Sequence, residues 1–174
     1  QIFPTDEGRG APRRPPAASL AELGTPQGAC TVRQCTGGYL PHGRPPPLLV
    51  LGLSLGSLVA IRMAAIDPTV SGLVLDGAIE PFRTLRRSFG PLGAPVAEVA
   101  CSQVPPELDS RSQIQSVACP TLFVHGRLDN ISTFDDVEYL AVRTKRATLW
   151  ILTDCGHLDA ISRHREEYRQ RLRQ

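Results

Sequence analysis

Three features are missing from this sequence of 174 residues, and each absence excludes a class of protein. No apolar run approaches the roughly 18–20 residues that a membrane-spanning helix needs, so no transmembrane segment is predicted. The net charge is only +2 and the basic residues are scattered apart from a C-terminal stretch, which argues against nucleic-acid binding. No C-x-x-C pair and no histidine–cysteine cluster has metal-ligand spacing, so no metal site is predicted.

The cysteines do not form a disulfide framework. Their number, five, is odd, so they cannot all pair within one chain. Cys30 and Cys35 are close enough in sequence to form a small disulfide loop, whereas Cys101, Cys119 and Cys155 are isolated. Buried or free thiols in a reducing compartment are the favoured interpretation. The compartment is therefore left open, with the cytoplasm preferred.

Segment 1–47 differs in composition from the rest of the chain. It holds nine of the sixteen prolines and seven of the fifteen glycines. Proline removes backbone donors and glycine raises the entropy cost of ordering, so we predict a largely irregular segment with at most a short helix at Ala17–Leu23. The chain begins at Gln1 without a signal-like segment, and we expect its start to be processed, trimmed or missing.

From Leu48 onward, apolar strand-like runs alternate with helix-like stretches. Strands are predicted at Leu48–Leu51, Gly72–Asp76, Thr121–Val124 and Ala147–Leu152. Helices are predicted at Ser57–Ala65 (ended by Asp67-Pro68), Pro81–Gly90, Phe134–Thr144 and Ile161–Leu172, with an irregular or partly helical segment at Val96–Ile114. Because the strands are apolar throughout and separated by helices, we predict an α/β protein with about four parallel strands and helices on both faces.

The most informative motif is Gly52-Leu53-Ser54-Leu55-Gly56, which lies between the first predicted strand and the first predicted helix. A G-x-S-x-G pattern in that context is typical of a nucleophile elbow. The tight turn would hold Ser54 in strained backbone angles, and the two glycines would leave room where a β-carbon would clash. The N–H of Leu55 at the head of the helix would donate to an oxyanion. The alternative is that Ser54 is an ordinary helix N-cap.

Polar residues follow the other predicted strands at the same edge of the sheet. Asp76 follows the second strand, His125 and Asp129 follow the third, and His157 follows the fourth. Ligands of such sheets bind beyond the carboxyl ends of the strands. A nucleophilic serine needs an imidazole to take its proton and a carboxylate to orient that imidazole. Ser54, Asp129 and His157 supply these three groups in the chain order of one known triad.

Each site residue also has a simpler interpretation. Asp129 would be a common turn residue in the run Arg127-Leu128-Asp129-Asn130, and Asp76 is an alternative acid. His157 would be a loop histidine satisfied by the backbone. The remaining candidates are interpreted as structural or solvated: His125 and the core strand residues Trp150 and Leu152 as structural, Asp154, Asp159 and His164 as solvated, and Arg83, Arg86 and Arg87 as a solvated helix face rather than an anion site.

The motifs together resemble the C-terminal half of an α/β-hydrolase, most closely the serine aminopeptidase-like and peptidase S33-like hydrolases. The matching runs are LLVLGLSLGSLVAIRMAA, VSGLVLDG, CPTLFVHGRLDNIS and LWILTDCGHLDAI. The resemblance implies Ser54 as nucleophile, Asp129 as acid and His157 as base, in a hydrolase-like domain at 48–174 with a short cap at about 80–116. It implies cleavage of an ester, thioester or peptide bond in a small-molecule or peptide substrate, through an acyl-enzyme and without metal or organic cofactor.

The sequence departs from that family ahead of the elbow. Family members carry further strands there and a His-Gly motif that supplies the second oxyanion donor, whereas the only upstream pair, His42-Gly43, lies too close to the elbow. The N-terminal strands and one donor are therefore expected to be missing. We expect a fragment or a truncated, inactive relative rather than a compact form whose tail covers the exposed edge. An inactive binding module and an acyltransferase remain alternatives to a serine hydrolase.

Overall fold

The computed structural model describes residues 47–173, which form one parallel sheet and the helices packed against it. The strands are β1 (Leu48–Leu53), β2 (Val70–Asp76), β3 (Thr121–Gly126) and β4 (Ala147–Leu152). The helices are α1 (Gly56–Ile66), α2 (Pro81–Phe89), α3 (Ala94–Ser102), α4 (Ser110–Gln113), α5 (Phe134–Ala141), α6 (Ala160–Arg163) and α7 (Arg165–Leu172). Short 3-10 turns lie at Pro91–Gly93, Pro106–Leu108 and Ile114–Ser116. The predictions for Ala17–Leu23, Cys30, Cys35 and His42-Gly43 fall outside the described residues.

The sheet has the order β1-β2-β3-β4, and each neighbouring pair is parallel. The prediction of about four parallel strands is therefore confirmed. Because parallel strands bring their carboxyl ends to one edge, the loops that follow the four strands meet there, and this edge is called the rim below. No helix within residues 47–173 has the length and apolar character to cross a bilayer.

The two faces of the sheet carry separate apolar clusters. The first face packs against α1 and α5, and its buried strand residues include Leu73, Leu75 and Phe123. The second face packs against α6 and α7, and its buried residues include Val74, Val124, Trp150 and Leu152. The prediction that Trp150 and Leu152 belong to the core is confirmed, since they are 5% and 6% exposed.

Strand β1 is longer than predicted and is not buried throughout, which corrects the sequence-based expectation. Side chains alternate between the two faces of a strand. Val50 faces the cluster beneath α1, but Leu49, Leu51 and Leu53 point the other way and are 47%, 43% and 41% exposed. Helices α6 and α7 pack over β3 and β4 instead. Within residues 47–173, β1 also has no strand on its outer side.

Local signals explain where several helices begin and end. Helix α1 ends at Ile66 because Asp67, which precedes Pro68, takes an extended conformation with ψ 103°. Helix α5 begins with a capping box between Thr133 and Asp136. The segment predicted to be irregular or partly helical contains α3 and α4.

The single C-terminal helix predicted at Ile161–Leu172 is two helices, and this prediction is wrong. The backbone of His164 leaves the helical region, with φ −119° and ψ 39°, and separates α6 from α7. Although the sequence of α7 is polar, its Tyr168 is 2% exposed and packs in the cluster of the second face.

Candidate active site

The turn between β1 and α1 has the strained geometry that its sequence pattern predicts. Ser54 has φ 48°, in the left-handed region, and its N–H donates to the carbonyl of Asp76 at 2.9 Å. A β-carbon at Gly52 would lie 2.6 Å from Cβ of Ala60, so strand and helix approach each other closely here. A β-carbon at Gly56 would meet nothing within 4 Å, so the expected clash at the second glycine is wrong.

The side chain of Ser54 does not cap the helix. The N-cap position of α1 is Leu55, which makes no side-chain capping bond. The Oγ of Ser54 instead lies 2.7 Å from Nε2 of His157, and Nδ1 of the same imidazole lies 2.7 Å from Oδ2 of Asp129. Three side chains from three different loops of the rim are thus linked in series by hydrogen bonds.

The carboxylate of Asp129 accepts hydrogen bonds at both oxygens. Oδ1 accepts from the N–H groups of Ile131 at 2.8 Å and Ser132 at 3.0 Å. Oδ2 accepts from the hydroxyl of Ser132 at 2.7 Å and contacts His157. Burial pushes the pKa of Asp129 upward, but the hydrogen bonds from Ser132 and His157 outweigh it and hold the pKa below its usual value. Asp129 is therefore a turn residue and a partner of the imidazole at the same time.

Close packing holds the imidazole of His157 in place. Gly77 follows β2 with φ 60°, and a β-carbon there would lie 2.8 Å from Cε1 of His157. On the chain after the imidazole, Leu158 has φ 62°, and the N–H of Gly156 donates to Oδ2 of Asp159 at 3.0 Å. Asp159 thus helps to fix the loop that carries His157, while its side chain stays 43% exposed.

The head of α1 offers a backbone donor beside Ser54. In the part of the chain that the structure describes, the N–H of Leu55 has no acceptor. An unpaired N–H at a helix N-terminus carries partial positive charge and favours an anion. The predicted position of an oxyanion donor therefore holds an available N–H.

The alternative acid, Asp76, lies at the rim but does not contact the imidazole through a hydrogen bond. Its side chain is buried, and Oδ2 has no hydrogen-bond partner among the described residues. Burial raises the pKa of Asp76 to about 6, and the hydroxyl of Tyr168 and the charge of His157 offset this only in part. The structure pairs His157 with Asp129 instead.

A second polar cluster lies behind the loop of His157 and was not predicted. Ligand-type atoms of Asp154, Cys155 and His164 lie within 4.8 Å of one another, and these are residue types that bind zinc. Nε2 of His164 is 3.0 Å from both carboxylate oxygens of Asp154. His164 also meets the ring of Trp150 edge-on and its side chain is 28% exposed, so its prediction as an exposed residue is wrong. The side chain of Asp154 is 53% exposed, which agrees with its interpretation as a solvated residue. Burial raises the pKa of the Cys155 thiol to about 11, which keeps it protonated at neutral pH.

The arginines of α2 lie on an exposed helix face, as predicted, with side chains 40–50% exposed, and each is also paired with a carboxylate. Arg83 and Arg87 both bind the buried carboxylate of Asp136 on α5, with a distance of 2.8 Å for Arg83. Arg86 binds Glu98 on α3 at 2.7 Å. The three cations therefore tie α2 to its neighbours, and this reduces what they could offer to an anionic substrate.

The remaining histidine and cysteines of the described residues behave as predicted. His125 at the end of β3 is 1% exposed, its ring lies 6.0 Å from that of Phe134, and burial lowers its pKa. Cys101, Cys119 and Cys155 are buried free thiols. None of these side chains contacts the Ser54–His157–Asp129 series through a hydrogen bond that the structure describes.

The fold is shared with solved hydrolase structures, although no family model matches the sequence and no curated protein matches it significantly. The 2,6-dihydroxy-pseudo-oxynicotine hydrolase is 24% identical over 84% of this chain and 44% of its own, with a TM-score of 0.62. An esterase of Pyrococcus furiosus is 26% identical over 72% of this chain and 51% of its own, with a TM-score of 0.55. An α/β-hydrolase enzyme from a sediment metagenome of the Mar Chica lagoon in Morocco is 20% identical over 83% of this chain and 68% of its own, with a TM-score of 0.56.

These similarities establish the fold and its extent. The described residues form part of an α/β-hydrolase fold, as predicted. The chain spans about half the length of the oxynicotine hydrolase and of the Pyrococcus furiosus esterase. The narrower resemblance to serine aminopeptidases stays a prediction.

Proposed function

We propose that this chain is a serine hydrolase, or part of one, which cleaves an ester, thioester or peptide bond through an acyl-enzyme. The observation that carries the proposal is the hydrogen-bonded series from Ser54 through His157 to Asp129. The fold shared with an esterase and other hydrolases supports the same reaction class. The chain covers only part of those proteins, so the proposal also applies to a longer protein that contains this chain.

In the proposed reaction, Oγ of Ser54 attacks the substrate carbonyl while Nε2 of His157 takes the hydroxyl proton. Asp129 keeps a proton on Nδ1, so that Nε2 is free to accept, and it stabilises the imidazolium that forms. The N–H of Leu55 donates to the negative oxygen of the tetrahedral intermediate. The same Nε2 then gives its proton to the leaving group, and the acyl group stays on Ser54.

Hydrolysis of the acyl-enzyme uses the same residues. A water molecule loses a proton to Nε2 of His157 and attacks the acyl carbonyl, and the imidazolium returns that proton to Oγ of Ser54 as the acyl bond breaks. The half-buried position of Ser54, with 14% exposure of the His157 side chain, supports this step, since water can reach the pair. No metal ion takes part in this sequence of steps.

A fluorophosphonate probe tests the proposal on the full chain. We expect covalent labelling of Ser54 in folded protein and loss of labelling in Ser54→Ala. The matched control is Ser112→Ala. Ser112 is exposed and lies on α4, in the segment that connects β2 to β3, so its replacement should leave labelling unchanged. Absence of labelling in protein whose circular dichroism shows the folded α/β content would overturn the proposal.

A second candidate function is a catalytically inactive binding module, and one observation favours it. Leu49, Leu51 and Leu53 form an exposed apolar row on β1 within residues 47–173. Contiguous exposed apolar surface often marks an interaction site. Sedimentation of the full chain together with an esterase assay separates the two candidates. A monodisperse monomer that hydrolyses esters would contradict the binding module.

A further inference from the structure

A cavity of about 320 Å³ is lined by Leu55, the residue that follows the proposed nucleophile in the chain. One wall is the head of α1, with Leu55 and Leu58, and another is the loop after β2, with Ile79. Helices α2 and α3 and the turn that follows α3 close the remaining sides, where Leu85, Ala100 and Leu108 line the space. The cavity therefore lies between the elbow and the segment that connects β2 to β3.

We propose that this cavity binds an uncharged apolar chain of the substrate, with at most about ten carbon atoms. The inference rests on the proposed function, and it names the substrate class of that same site. It assigns substrate choice to α2, α3 and the turn at Pro106–Leu108.

The position of Leu55 connects the cavity to the proposed chemistry. Its N–H is the available donor beside Ser54, and its side chain lines the cavity. A carbonyl held between Oγ of Ser54 and the N–H of Leu55 would therefore have one substituent at the mouth of the cavity. That substituent is the group whose size and polarity the cavity would select.

The lining excludes a charged chain. Its polar members are Thr84 and Gln103, and no charged side chain is among the lining residues that the structure describes. Glu80, which lies between the lining residues Ile79 and Pro81 in sequence, is buried and accepts hydrogen bonds from the N–H groups of Phe82 and Arg83. Glu107 and Asp109 flank Leu108 in sequence but are not lining residues. A charge brought into this space would lose its water without gaining a partner, which is costly.

The volume limits the length of the chain. A water molecule occupies about 30 Å³ of the liquid, and a methylene group is of similar size, so the cavity holds about ten carbon atoms at most. Burying one methylene group is worth a factor of about four in binding. We therefore expect kcat/KM to rise about fourfold per methylene up to about eight to ten carbons, and then to fall.

Two series of esters with the full chain test the proposal. One series is p-nitrophenyl acetate, butyrate, hexanoate, octanoate, decanoate and palmitate, and the other is acetates of alcohols of the same lengths. We expect one of the two series to show a maximum at medium length, and that series identifies the group that enters the cavity. A p-nitrophenyl ester with a carboxylate at the end of a medium chain should react at least tenfold more slowly than its uncharged counterpart.

A pair of variants on α3 localises the effect. Ala100→Phe fills the cavity, and we expect it to lower kcat/KM for the octanoate ester at least tenfold while changing acetate less than threefold. Val99→Phe adds the same ring at a neighbouring position that is 65% exposed and outside the lining, and it should leave the length profile unchanged. Thr84→Val makes the lining more apolar at nearly constant volume, and we expect it to raise kcat/KM for the octanoate ester.

The outcomes distinguish a failure of the cavity proposal from a failure of the proposed function. Active hydrolysis with two flat length profiles, or an equal effect of Ala100→Phe and Val99→Phe, overturns the cavity proposal and leaves the serine hydrolase standing. If no ester is hydrolysed and Ser54 is not labelled, the proposed function fails. Binding of octanamide against propionamide in the same two variants then decides the cavity proposal by calorimetry, and equal affinities would overturn it.

Discussion

The two halves of the rim are supported in different ways. At the β3–β4 end, the carboxylate of Asp129 accepts donors at both oxygens and helices cover both faces of the sheet. At the β1 end, Ser54 follows a strand whose second face, with Leu51 at its centre, lies exposed within residues 47–173. The comparison teaches that His157 and Asp129 are held by polar contacts inside the described residues. Within residues 47–173, the strand that leads to Ser54 is packed on one face only.

The largest expected effect comes from a substitution at the β3–β4 end of the rim, where Asp129 contacts His157. Asp129→Asn keeps the shape of the carboxylate but presents the wrong group to Nδ1 of His157, and we expect kcat to fall about 10⁴-fold. Asp76→Asn is the matched control, because Asp76 makes no hydrogen bond to the imidazole that the structure describes, and we expect less than a tenfold loss. Steady-state kinetics on both variants decides between the two acids. A larger loss in Asp76→Asn would contradict the assignment.

The next effect tests packing against the imidazole without removing any functional group. In Gly77→Ala the new β-carbon would lie 2.8 Å from Cε1 of His157, at a backbone φ of 60° that disfavours alanine. A displacement of about 1 Å can cost about 10²-fold in rate, and we expect a loss of this size in kcat. Gly56→Ala meets nothing within 4 Å and should leave kcat within about twofold. Equal losses in the two variants would show that the packing argument is wrong.

A smaller effect concerns stability and comes from Asp76, which lies between the two halves. Burial raises its pKa from 3.8 to about 6 in the folded state, so folding favours the protonated form. The stability that Asp76 contributes is therefore full below pH 3.8 and is lost as the pH rises through about 6. Between pH 4 and 7 the free energy of unfolding of the wild type should fall by about 2 kcal/mol relative to Asp76→Asn. Urea unfolding of both proteins measures this difference, and parallel pH profiles would refute it.

The smallest expected effect on activity comes from a substitution on β1, at the other end of the rim. Leu51→Ser makes the exposed row on β1 more polar, and we expect less self-association with kcat changed less than about threefold. Leu149→Ser is the matched control on the opposite edge strand, where the side chain is 38% exposed, and it should not change association. Analytical ultracentrifugation measures both variants. Unchanged association in Leu51→Ser would show that the row does not mediate contacts.

The meeting of Ser54, His157 and Asp129 at one edge of the sheet was predictable because its evidence is local. Apolar runs define the strands, parallel pairing brings the strand ends together, and the residues that follow them are then candidates. The strained angle at Ser54 follows from the same reasoning, since the strand-to-helix turn leaves one residue to reverse the chain.

The features that the sequence did not predict depend on distant parts of the chain. The pairing of Arg83 and Arg87 with Asp136 joins residues about fifty positions apart, and no local pattern indicates it. The exposure of Leu49, Leu51 and Leu53 depends on which helices pack over β1, and the hydrophobic pattern of the strand does not indicate this. The break at His164 reflects its contacts with Trp150 and Asp154, which exist only after folding.

The double use of Asp129 bears on how activity could be judged from related sequences. Its carboxylate stabilises the loop by accepting hydrogen bonds from Ile131 and Ser132. A related protein without catalytic activity would therefore still be stabilised by an aspartate at this position. The hydrogen bonds of the His157 side chain within the described residues go to Ser54 and Asp129 alone. Retention of a histidine at position 157, rather than of the acid, would therefore be the more telling mark of a lineage that still carries out catalysis.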